Sequence, residues 1–164
     1  MTLSEIIRLA IVPALQLLPA MMDTAQARVM LLAIGLQESA FSARRQAGNG
    51  PARGFWQFEL GTEVSRGGVW GVYLHPASRL LLERLCQARG VVFRPEAIYR
   101  TVETDDVLAA GVARLLLFTD PRALPPVADH EAAWDLYKRT WRPGKPHPTK
   151  WPANHAKALA EVRS

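Results

Sequence analysis

The chain predicts a single, mainly α-helical domain spanning residues 1–164. Hydrophobic residues make up 49% of the 164 positions, enough to build one sizeable core and too few for two comfortable domains. Most of the apolar residues recur at helical spacing, in segments bounded by helix start and stop signals. Alternation of apolar and polar residues is confined to the neighbourhood of 55–72, where a small β-hairpin is expected.

Thr2-x-x-Glu5 is a capping box that opens a first helix to about Leu18, kinked or divided at Pro13 because an interior proline loses a backbone hydrogen bond. Asp23-x-x-Gln26 restarts a helix that runs to about Ser39. It is apolar nearly all round, so it belongs in the core, and Gly35 admits a close neighbour. Gly48-Asn49-Gly50-Pro51 marks a loop from Ser42 to Gly54, and Gly61, Gly67, Gly68 and Gly71 read as turns. His75-Pro76 opens a helix from Ala77 to about Arg89, stopped by Gly90, and Pro95 starts a short one to about Val102. Asp105 caps Val107 to Phe118, where Ala109-Ala110-Gly111 allows a close helix crossing. Asp129 caps a helix through Tyr137, and after a Pro-rich loop, Arg142 to Pro148, a last helix runs from about Pro152 to Val162.

The bulk numbers exclude more than they choose. A net charge of +5 suits an anionic partner, but the arginines are dispersed and form no stripe on one helix face, which argues against nucleic acid. The single Cys86 rules out an intramolecular disulfide and, among Leu81, Leu82 and Leu85, reads as a buried thiol. The uncharged run Leu9 to Met22 is too short to span a bilayer and lacks the basic lead and cleavage site of a signal peptide. Membrane insertion is therefore not expected, and synthesis in the cytoplasm without an obvious leader is. His75, His130, His147 and His155 are scattered, and there is no P-loop, GxGxxG or GxSxG, so neither a metal nor a cofactor is expected.

The chemistry concentrates in Leu31 to Glu59. From Val29 to Ala43 the only ionisable side chain is Glu38. An acid among Leu31, Ile34 and Phe41 is partly desolvated, which raises its pKa toward the range a general acid needs. Phe55-Trp56-Gln57-Phe58-Glu59 sets aromatic faces beside an amide and an acid, a combination suited to a sugar ring. By alternation Trp56 and Phe58 pack inward, while Phe55, Gln57 and Glu59 face Glu38 or the cleft.

Glu38-Ser39-Ala40-Phe41, followed nineteen positions after the Glu by Gln57 in Gly54-Phe55-Trp56-Gln57, resembles the lytic transglycosylase and goose-type lysozyme superfamily. The resemblance implies a lysozyme-like domain that cleaves the β-1,4 bond between N-acetylmuramic acid and N-acetylglucosamine in peptidoglycan glycan strands. It implies Glu38 as acid and then base, assisted by Gln57, with Ser39 positioning the site or the sugar. The family's supporting Tyr, in a Tyr-Asn-Ala-Gly segment, has its nearest analogue in Tyr137, although the Asn-Ala-Gly is missing. Phe55, Trp56, Glu59 and Trp141 are the expected sugar contacts, and Arg44 is expected to meet the carboxylates of the wall peptides.

Three alternatives stay open. Glu59 could be the second carboxylate of a muramidase that hydrolyses the same bond, since inversion requires two acids at ~6.5–9.5 Å. The altered C-terminal motif suits a non-catalytic structural or adaptor protein of a phage particle. Solvated loop or helix-end pairing is the plainer use of the arginines. Small size, basicity and the lack of a leader resemble a phage or prophage protein, delivered to the wall by a virion or released at lysis.

Overall fold

Pro13 shapes the first helix. In the computed structural model, which describes residues 1–164, helix α1 begins as an α turn over Leu3–Ile6, widens into a π turn over Ile7–Ile11 and closes as α-helix over Val12–Gln16. The Val12 N–H reaches back to the Ile7 carbonyl, so the wider turn falls where Pro13 has no N–H to give. Thr2 caps the helix with the expected reciprocal bonds: its N–H donates to Glu5 Oε2 at 2.7 Å, and the Glu5 N–H donates to Thr2 Oγ1 at 3.1 Å.

Helix α2, Ala25–Glu38, is the spine. Its cap is Thr24 rather than the expected Asp23, whose carboxylate instead pairs with Arg28 at 2.8 Å. Every residue from Val29 to Gly35 is buried, which covers the full circumference of the helix.

Residues 55–72 do not form the expected hairpin. Two isolated bridges, Arg45 with Arg53 and Arg53 with Phe58, are the whole β content. Gly68 and Gly71, expected as turns, lie inside helix α3, Gly68–Leu74. At Gly68 (φ 55°) a Cβ would run into the Glu59 carbonyl. There, glycine serves close backbone contact rather than a hairpin turn.

The remaining helices follow their signals to within about a turn: α4 Arg79–Arg89, α5 Pro95–Thr101, α6 Asp106–Phe118, α7 His130–Trp141 and α8 Trp151–Arg163. Gly90 closes α4 at φ 67°, and Asp105 and Asp129 accept the capping hydrogen bonds of α6 and α7. The small-residue patch on α6 works as a crossing, because a Cβ on Gly111 would stand 2.5 Å from Leu85 on α4. Helix α2 packs most extensively on α8, and α6 packs on α1, α4 and α2, so one hydrophobic cluster unites the chain as a single all-α domain. Cys86 is fully buried in it. No helix is long and apolar enough to cross a membrane.

Candidate active site

Glu38 is the last residue of α2, and the way the helix stops is what aims it. Ala40 and Phe41 take left-handed backbone at φ 52° and 53°, which turns the chain sharply back. The Phe41 ring folds onto Gly35 and meets Phe55 and Trp56 edge-on, with ring centroids 5.5 and 5.7 Å away. Ser39 Oγ donates to the Phe55 carbonyl at 2.7 Å and accepts from the Phe41 N–H at 3.1 Å. Trp56 Nε1 donates to the Leu31 carbonyl at 2.8 Å. The loop at 54–58 is thus tied to α2 at several points beside Glu38.

In this loop only Phe55 departs from the expected alternation, although the backbone is not extended. Gln57 sits at φ 51° and Gly54 at φ 74°, so the backbone turns instead of extending. Phe55 and Trp56 are 2% and 0% exposed and Phe58 is buried beside them, which corrects the expectation that Phe55 and Trp56 contact the sugar. They are the core that holds the loop. Gln57 and Glu59 do line the cleft with Glu38; the Gln57 amide donates to the Gly54 carbonyl at 2.9 Å.

Helix α7 brings in the other wall. Tyr137 Oη donates to Glu38 Oε1 at 2.5 Å, the one hydrogen bond that any protein group makes to this carboxyl. The Tyr137 ring lies flat on Trp151, centroids 5.3 Å apart at 12°, which fixes its direction. Trp141 lines the cleft, packs against Phe58 and donates from Nε1 to the Trp56 carbonyl at 2.9 Å.

The cleft holds about 1150 Å³ and is closed on one side by the Arg142 to Lys150 strap. A clip that has no local sequence signal anchors this strap. Gln37 Nε2 donates to the His147 carbonyl at 3.0 Å, and Asn154 Nδ2 donates to Gln37 Oε1 at 2.9 Å. Arg142, Lys145, His147 and Lys150 face the cleft without a carboxylate partner in the chain. Arg44 does not line it. Its guanidinium pairs with Asp106 at 2.6 Å and stacks over the Phe55 ring at 4.2 Å, so its expected contact with wall peptides is replaced by a structural one. Arg45 and Arg53 both pair with Glu103.

The electrostatics follow from burial. Desolvation pushes the Glu38 carboxyl up to about 7, and the charge of Glu59 adds to the rise, while the Tyr137 hydrogen bond pulls against it. Burial and the neighbouring Glu38 drive the Tyr137 phenol well above its ordinary value, so it stays a neutral donor. No group of three or more His, Cys, Asp or Glu is placed to hold a metal ion. The arrangement can give and take a proton near neutral pH at one carboxyl oriented by a phenol, in a cleft of about 1150 Å³. Compared with known proteins, the chain matches no family model, no curated sequence and no solved structure.

Proposed function

We propose that the protein is a lytic transglycosylase that cleaves the β-1,4 bond between N-acetylmuramic acid and N-acetylglucosamine in peptidoglycan strands. One observation carries this reading: the Glu38 carboxyl sits in the cleft, hydrogen-bonded to Tyr137, and burial raises it to about 7. Near pH 7 such a group holds its proton in a large fraction of molecules and, once it has given that proton away, is basic enough to take one back. Glu38 protonates the glycosidic oxygen as its bond to C1 breaks. The muramyl 6-hydroxyl then bonds to C1 and returns its proton to Glu38, so no water is consumed. Gln57 and Tyr137 position the reacting groups, and Trp141 and Glu59 offer contacts along the groove. Delivery by a phage particle or release at lysis fits this reading.

A second reading, a muramidase, is favoured by Glu59, which lies close enough for its charge to raise the Glu38 pKa. There Glu59 activates water opposite the leaving group.

The test is digestion of peptidoglycan by the protein and by Glu38→Gln, with products resolved by mass spectrometry. Anhydro-muropeptides from the parent alone are expected. Reducing-end products lost in the variant would select the muramidase. No product from the parent on several wall types would overturn both and leave a phage structural or adaptor protein on this scaffold.

A further inference from the structure

Helix α6 carries a second polar feature apart from the cleft. Arg114 lies mid-helix and is 5% exposed, yet it has no carboxylate partner. Its one side-chain hydrogen bond runs from Nε to the Met22 carbonyl at 3.0 Å and ties α6 to the turn before α2. That use takes one donor of a guanidinium that has five. Both terminal nitrogens have no acceptor in the protein, and no fully buried polar atom of the chain lacks a partner, so these nitrogens are open to what fills the adjoining space.

That space is a cavity of about 400 Å³ lined by Arg114, Leu117, Phe118, Asp120, Arg122 and Leu124. Its carboxylate is already occupied: Asp120 accepts from Arg139 Nε at 2.9 Å and from the Arg122 N–H at 3.1 Å. Arg122 makes no ion pair. The cavity is therefore lined by more positive than negative charge together with apolar side chains, and burial has lowered the Arg114 pKa to about 10. An arginine this poorly hydrated is stabilised by an anion that meets it in the fork geometry.

We propose that this cavity binds a small monocarboxylate with an apolar body, its carboxylate on the free nitrogens of Arg114 and its body against Leu117, Phe118 and Leu124. The planar fork suits a carboxylate. The nearby Asp120 disfavours a doubly charged phosphate, and the volume is that of a small-ligand site.

Phenylacetate and its neutral analogue phenylacetamide, titrated into the full chain up to about 10 mM and followed by amide NMR, provide the test. Phenylacetate is expected to give saturable shifts confined to the end of α6 and residues 120–124, with phenylacetamide at least about tenfold weaker. Leu124→Trp, which fills the cavity and leaves Arg114 itself unsubstituted, is expected to abolish those shifts while leaving the thermal midpoint within a few degrees. Arg114→Gln is expected to abolish them as well. If it fails to fold, the acid–amide comparison and Leu124→Trp still decide. Absence of saturation, equal binding of acid and amide, or shifts at the Glu38 cleft instead would overturn the proposal.

Discussion

The Tyr137 hydroxyl and the Glu38 carboxyl meet at 2.5 Å across 99 residues of chain, and the phenol touches only Oε1. Oε2 has no protein partner and is the oxygen that can face a substrate. Tyr137→Phe removes a bond that lowers the Glu38 pKa, so that pKa climbs above about 7. The alkaline limb of the kcat/KM profile on peptidoglycan should move to higher pH, while kcat falls by roughly ten- to a hundredfold from lost orientation. A limb that stays in place would show that this bond does not tune the acid.

Glu38 also makes stability depend on pH. Its carboxyl rises from 4.5 in the unfolded chain to about 7 in the fold, so between those values the folded state binds the extra proton. The Glu38 contribution to stability is therefore fully present below 4.5 and is lost as pH rises through 7. Glu38→Gln loses that decline and should exceed the parent at pH 8 by on the order of 2–3 kcal/mol, with little difference at pH 5. Urea denaturation at the two pH values measures it.

Glu59 separates the two proposed cleavage routes. Because its charge raises the Glu38 pKa, Glu59→Gln should draw the alkaline limb to lower pH. With a single acid at work, kcat below pH 6 stays within about tenfold of the parent. A hydrolase that relies on Glu59 as base loses about 10³-fold throughout. Steady-state rates on purified peptidoglycan read both quantities.

Gly35→Ala should cost the fold although it sits in a helix. The new methyl collides with the Phe41 ring, which is 4% exposed and held between Phe55 and Trp56, so the ring has nowhere to go. Overpacking outweighs the helix propensity gained, for a net loss of about 1–2 kcal/mol. The thermal midpoint should drop by roughly 2–8 °C for a chain of this size.

The helices were largely legible because their signals are local. Thr2, Asp105, Asp129 and Gly90 act at the ends they mark, and the lone acid in an apolar helix announced Glu38. Tyr137 was found only through the resemblance, since nothing within α7 points to α2. In the aromatic loop only Phe55 departs from alternation, which presumes extended backbone; positive φ at Gly54 and Gln57 turns the chain instead. Arg44 misled for another reason: its partner Asp106 lies 62 residues away and no spacing rule links them. The Gln37, His147 and Asn154 clip leaves no sequence signal for the same reason, spanning 110 and 117 residues.

The long separation of Glu38 and Tyr137 has a consequence during synthesis. Translation at 5–20 residues per second leaves about 5–20 s between the two emerging from the ribosome. For that interval α2, apolar on every side, has neither α7 nor α8 to cover it. The nascent chain is then expected to depend on chaperones that hold apolar segments, and cells depleted of them should accumulate it as aggregate even where the finished fold is stable.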